Sequence, residues 1–178
     1  MVRKAPYMFA WVLLVGCGDV FAFPVEASVD EFTVPGDPVL NHDRSPISAD
    51  AVPPIEIAIP TSGISGGSVS LAALEFERTD TALTADDDDG GDDLTFLTGL
   101  EVFLESSDPA AGLPTLLVAH WTGAPTRELT GLELNVEDQY DLSPYLAAGF
   151  RLLVRPRGVV PYDDVSLKGT VRFIVNPL

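Results

Sequence analysis

The last apolar run of the chain leaves almost no choice of secondary structure. Val165, Leu167, Val171, Phe173 and Val175 alternate with Ser166, Lys168, Thr170 and Arg172. Successive side chains point to opposite faces only in an extended strand, so this period specifies a strand with one buried and one solvated face. The same period recurs upstream. Ile55, Ile57 and Ile59 flank Glu56 and Ala58, and Pro60 stops that run. Val69 and Leu71 keep the period, which slips at Ala72-Ala73 and resumes at Leu74 and Phe76. A slip of one residue reads as a β-bulge or as two short strands. Leu100, Val102 and Leu104, then Leu132, Leu134 and Val136, then Phe150, Leu152 and Val154 repeat the alternation. Residues 116–121 are apolar almost throughout, the pattern of a central strand covered on both faces. Gly66-Gly67, Gly90-Gly91, Gly112, Gly123, Pro144, Pro156 and Pro161 punctuate the runs. No long stretch repeats at 3.6 residues. Short helical turns fit only residues 94–97, with Asp93 as cap, and residues 143–146 around Pro144. About seven to eight strands with one-sided alternation predict an all-β, antiparallel β-sandwich, Ig-like or jelly-roll-like, over residues 53–178. A closed barrel also satisfies the pattern.

Ahead of this domain, residues 17–52 carry Pro24, Pro35, Pro38 and Pro46 with Gly36, Asn41, Asp43 and Asp50, and no long apolar period. That composition predicts a flexible linker, in which residues 31–34 could add a short edge strand. Arg3 and Lys4 then precede an apolar run from Ala5 to Gly16. Twelve helical residues reach about 18 Å, short of the roughly 30 Å hydrocarbon core, so length and flanks fit a signal peptide over residues 1–16. The run ends in Leu14-Val15-Gly16-Cys17, which resembles the lipobox of bacterial lipoproteins. That resemblance implies cleavage before Cys17, acylation of its sulfur and amine, and membrane attachment through lipid. Gly18 follows the cysteine where an Asp would imply inner-membrane retention, so the resemblance implies the outer membrane, periplasmic face or cell surface. Cys17 is the only cysteine, which excludes an intramolecular disulfide; lipidation supplies a reason for a thiol in an exported chain, against an ordinary signal peptide, for which Ala22-Phe23-Pro24 is a poor cleavage site. The span from Pro54 to Val175 is similar to β-sandwich lipoproteins of myxobacteria-like bacteria. The steps Asp93-Leu94-Thr95-Phe96-Leu97 and Asp141-Leu142-Ser143-Pro144-Tyr145-Leu146 carry that similarity, and it implies no activity.

Charge narrows the partners. The chain has 10 Lys and Arg against 27 Asp and Glu, a formal charge of −17. Removing Arg3 and Lys4 with the leader leaves 8 against 27, or −19. Such a surface repels phosphate backbones and anionic headgroups, so nucleic acid is excluded as a partner and membrane attachment falls to the lipid.

Candidate sites are sparse. The acidic run Asp86, Asp87, Asp88, Asp89, Asp92 and Asp93 offers clustered oxygens to a hard cation such as Ca²⁺. It fits neither EF-hand frame: with Gly90 at position six, position twelve is Phe96, and with Gly91 there it is Leu97. Mutual repulsion makes a solvated loop the competing reading. A calcium site would need a second acidic loop, drawn from Asp138, Asp141, Asp163 or Asp164. Gly63-Ile64-Ser65-Gly66-Gly67 matches the G-x-S-x-G nucleophile elbow, which requires a helix to follow and a histidine after Ser65. Only His120 qualifies, and it sits in a strand run beside Trp121, where a partly buried ring bonded to a neighbour is expected. His42 and His120 alone make a poor metal site. Trp121, Tyr140, Tyr145 and Tyr162 suit sugar stacking or core packing equally. The sequence therefore points to a non-catalytic, lipid-anchored structural or binding module with an envelope protein or ligand as partner. A calcium-dependent adhesion module and an envelope hydrolase stand as alternatives. No catalytic residue or cofactor is assigned.

Overall fold

Among the described residues the alternating runs form strands. The computed structural model describes residues 22–57, 67–79, 94–123 and 131–176. Among these, nine strands run in order: β1 (Phe23–Val34), β2 (Ile55–Glu56), β3 (Ser68–Arg78), β4 (Leu97–Ser106), β5 (Leu116–Thr122), β6 (Gly131–Glu133), β7 (Asn135–Val136), β8 (Phe150–Gly158) and β9 (Val165–Asn176). Two short helices, α1 (Pro38–His42) and α2 (Ser143–Ala148), and the 3₁₀ turns Leu94–Phe96 and Pro109–Ala111 complete the fold. Both helical turns read from the sequence are present.

Two antiparallel sheets face each other, one ordered β1-β9-β3-β6 and the other β2-β8-β4-β5-β7. First strand pairs with last, second with next-to-last, and β3·β6 and β4·β5 nest inside them. This nesting is that of a long antiparallel ribbon rolled into two sheets. It is the strand order of a jelly roll, with β7 added at one edge, and not that of an immunoglobulin domain.

The core lies between the sheets because each strand sends its apolar residues the same way. Val165, Leu167, Val171, Phe173 and Val175 of β9 are buried, as the alternation requires. Gly169 continues their face without a side chain: a Cβ there would fall 2.6 Å from the Phe76 ring. That ring fills the space and meets Phe32 edge-on, with centroids 5.3 Å apart. The slip at Ala72-Ala73 is a bulge, with the β3–β9 register shifting between Leu71 and Ala73. Leu71, Leu74 and Phe76 stay buried across it. Phe150 and Phe173 make an edge-on contact between the two sheets.

Three expectations need correction. The segment 17–52 is not a tether from end to end, because its residues 23–34 form β1, paired with β9 over most of its length. Ala27, Val29, Phe32 and Val34 are buried, and a bulge between Val29 and Phe32 had hidden their alternation. Farther on, Pro46 bridges Val159, and Ile47 N–H donates to Gly158 O at 3.1 Å, so this stretch borders β8. Second, the run 132–136 is not one strand. Its first part pairs with β3 and its second with β5, so it crosses from sheet to sheet at Leu134. Leu134 N–H donates to Leu74 O at 3.0 Å during the crossing. This split and β1 together bring the seven alternating or apolar runs to nine strands. Third, β5 is not covered on both faces. Its bulge buries the adjacent Val118 and Ala119, while Leu117, His120 and Trp121 remain half-exposed.

The two ends of the sandwich differ. At one end α2 ties the sheets together. Ser143 Oγ lies 2.9 Å from Gly67 O, the Tyr145 hydroxyl donates to Pro114 O, and Ser107 N–H donates to Gly149 O at 3.0 Å. At the other end, α1 is held by Asp37 N–H to Pro161 O at 2.9 Å and Asn41 Nδ2 to Val160 O at 2.8 Å.

Candidate functional site

The outer face of the five-stranded sheet carries the chemistry that the core does not consume. Residues of β4 and β8 alternate, so Glu101, Phe103 and Glu105 face outward beside Arg151, Leu153, Arg155 and Arg157. Cross-strand register puts Phe103 opposite Leu153 on one side and Leu117 on the other. These three side chains make a half-buried apolar row across three strands. The Arg155 guanidinium lies over the Phe103 ring, 4.7 Å from its centroid, which is cation–π distance. Arg151 grips Glu105 with Nη2 and Nε, 2.7 and 2.9 Å from Oε2. Arg157 Nη2 reaches Glu101 Oε1 at 2.6 Å. Three arginines on one strand thus offset the neighbouring acids, and the face is close to neutral in a strongly acidic protein.

Beside the row is a depression of about 350 Å³ lined by Gly99, Glu101, Leu117, His120, Trp121 and Arg157, among others. His120 Nδ1 is shielded from solvent and lies 3.8 Å from Glu137 Oε1, beyond hydrogen-bond reach. The expectation that a ring nitrogen bonds a neighbour therefore fails at this atom. A larger hollow, about 660 Å³, opens on the other sheet over Gly169. It is bordered by Glu75, Glu77 and Glu133, and Lys168 Nζ is tied to Glu77 Oε1 at 2.8 Å. The carboxylate of Glu77 beside it raises the Lys168 pKa. The smaller depression is the better candidate surface, because it joins an aromatic ring, a shielded imidazole nitrogen and the apolar row.

The other sequence candidates scatter. Cys17, Ser65 and Asp86, Asp87, Asp88, Asp89, Asp92 and Asp93 lie outside the described residues. After Gly67 the chain enters β3, where a nucleophile elbow requires a helix. His42 sits on α1 at one end of the fold, and His120 on the outer face of β5. No group of three or more His, Cys, Asp or Glu among the described residues is placed to hold a metal ion. Asp141 is a structural acceptor: its Oδ1 takes Val69 N–H at 3.1 Å, Ser143 N–H at 3.0 Å and Ser143 Oγ–H at 2.6 Å. The Ser143 hydroxyl, foremost, and these amides lower its pKa, against a smaller rise from burial. Asp164 Oδ1 accepts from Gly36 N–H at 2.8 Å. Tyr145 is buried in the core, where desolvation raises its pKa, and Trp121 and Tyr140 pack partly against the core.

The arginine–phenylalanine face was missed in the sequence. Its residues occupy the polar half of each alternation, and only register brings Leu153, Phe103 and Leu117 into line.

No protein-family model matches the chain, and no curated protein matches it.

Proposed function

We propose that this chain is a lipid-anchored protein of the cell envelope whose jelly roll is a non-catalytic binding module. The observation that carries the reading is the apolar row Leu153, Phe103 and Leu117 with Arg155 over the ring. An outward face of a soluble sandwich has no packing need for such a row, and aromatic and arginine side chains are the residues enriched where proteins bind. The leader and Leu14-Val15-Gly16-Cys17 support the anchor, and Gly18 stands where an Asp would signal inner-membrane retention, which favours the outer membrane. No helix among the described residues is long and apolar enough to cross a membrane. Cys17→Ser is expected to move the protein from the membrane fraction to the soluble or precursor fraction; unchanged residence in detergent-extracted membranes would refute the anchor. A photo-crosslinking residue in place of Leu117 is expected to give a discrete envelope adduct. The same residue in place of Thr33, exposed on the other sheet, is expected to give none. Identical patterns from both positions would remove the proposed contact face.

A calcium-dependent module is the second reading. Thr79 and Leu94, which flank the acidic run, lie at the α1 end, as do Asp163 and Asp164. Asp141 lies at the opposite end and spends its carboxylate on the backbone.

A further inference from the structure

We infer that the α2 end of the sandwich rests against the lipid bilayer, with Phe23 and the turn 109–115 facing the headgroups and the α1 end pointing away. The inference rests on Cys17 being the lipid-bearing residue. Only residues 18–22 separate that cysteine from Phe23, the first residue of β1. Fully extended, the six steps from Cys17 to Phe23 reach about 20 Å. A twelve-residue strand is about 40 Å long, so so short a leash decides which end of β1 lies near the membrane.

That end consists of the start of β1, the end of β9, the start of β3, and α2 bridging to the turn between β4 and β5. Its surface suits a lipid neighbour. Phe23 is 39 % exposed; the other two large apolar side chains so exposed among the described residues, Val39 and Leu40, lie on α1 at the far end. Residues 109–115 read Pro-Ala-Ala-Gly-Leu-Pro-Thr, without a charge, and all but Leu113 are exposed. Among its carboxylates Glu26 is paired with Arg172 at 2.9 Å, while Asp108, Glu56 and Asp141 accept hydrogen bonds and keep their charge. The α1 end carries Asp37, Asp43, Asp163 and Asp164 beside Arg44, and the run of six Asp joins the fold there through Thr79 and Leu94, so the greater negative charge lies at that end. An anionic surface repels negative charge within roughly 10 Å. The short leash and the charge distribution therefore favour the same orientation. The arginine–phenylalanine face then stands roughly upright from the bilayer, open to a partner from the side.

The test places one new thiol in the full lipidated chain, where the Cys17 sulfur is already a thioether. Ala110→Cys and Leu40→Cys are labelled with a fluorophore and reconstituted into phosphatidylethanolamine–phosphatidylglycerol vesicles bearing headgroup nitroxides. Quenching is expected to be several-fold stronger at position 110 than at position 40. A twenty-residue Gly/Ser insertion after Ala22 adds about 25 Å of root-mean-square reach and is expected to erase the contrast. Equal quenching in protein that floats with the vesicles would overturn the orientation while leaving the anchor intact. A contrast that survives the insertion would overturn the short leash as its cause. Protein that does not float would overturn the anchor and the orientation with it.

Discussion

Replacing Asp141 by Ala should destabilise the domain at its α2 end. One oxygen of this residue accepts three donors: Val69 N–H at 3.1 Å, Ser143 N–H at 3.0 Å and Ser143 Oγ–H at 2.6 Å. Val69 is 1 % exposed, but Asp141 is itself exposed, so water replaces the carboxylate in part. Leaving a donor unpaired costs about 1–3 kcal/mol, and losing a side-chain acceptor at a helix start costs about 0.5–2 kcal/mol. The expected loss is about 2 kcal/mol, since water compensates in part and the two effects share one oxygen. With a urea m-value of about 2 kcal/mol/M, the midpoint should fall by about 1 M at unchanged slope. Asp141→Asn keeps the shape and an acceptor but loses the charge, and should lose about half as much. The pH dependence supplies an independent check. Hydrogen bonds from Ser143 and the amides put the folded pKa below the unfolded value. The carboxylate's contribution is therefore complete above the unfolded pKa and disappears as pH falls through the folded one. The gap between wild type and Asp141→Asn should be constant at neutral pH and close below about pH 4. An Asp141→Ala protein within about 0.5 kcal/mol of wild type at pH 7 would refute this account of the α2 end.

Leu74→Ala, at a residue with no exposed surface in the middle of β3, should cost about 3 kcal/mol by chemical denaturation; a cost below about 1 kcal/mol would mean the sheets do not pack there as described. Glu133→Lys should stabilise by about 0.5 kcal/mol, because Glu133 pairs directly across from Glu75 and the change turns repulsion into attraction; destabilisation would refute the β3–β6 register. Millimolar calcium, with magnesium as control, should leave the melting temperature of the chain from Gly18 onward unchanged. A ligand at 100 times its Kd would add about 2.7 kcal/mol, so a calcium-specific rise of several degrees, abolished by Asn at Asp86, Asp87, Asp88 and Asp89, would instead make the acidic run a site.

The sandwich was legible because alternation is a local property. Five apolar residues of β9, and the bulge at Ala72-Ala73, could be read without knowing what either strand paired with. What local reading lost was whatever pairing decides. In β1, the bulge between Val29 and Phe32 breaks the period, and Pro24, several acids and Pro35 just beyond the strand give the segment the composition of a linker. The run 132–136 has unbroken alternation, yet its two parts hydrogen-bond in different sheets, a fact of topology that no period encodes. The candidate face was hidden for a related reason. Arg151, Arg155 and Arg157 looked like ordinary solvent-side residues of one strand, Phe103 like a break in the alternation of a second, and Leu117 like part of the apolar run of a third. Their meeting depends on the registers of β8, β4 and β5.

The edges of the sheets bear on where a partner would bind. An exposed edge invites another strand, and edge-strand addition is a common way for a β-domain to take a peptide. Here one pair of edges is β6 and β7, which are short and joined by the same crossing run. On the other side, β2 spans two residues, and Pro46 and Ile47 continue along β8. That leaves β1 as the one long edge among the described residues. It is interrupted by its bulge and exposes Glu26, Asp30 and Glu31. A bulge and charge are the features that block strand addition. The long edge is thus defended, while the broad face of Leu153, Phe103 and Leu117 is covered only by the head of one arginine over its ring. Recognition by side chains on the face, rather than by backbone at the edge, is the mode this arrangement favours.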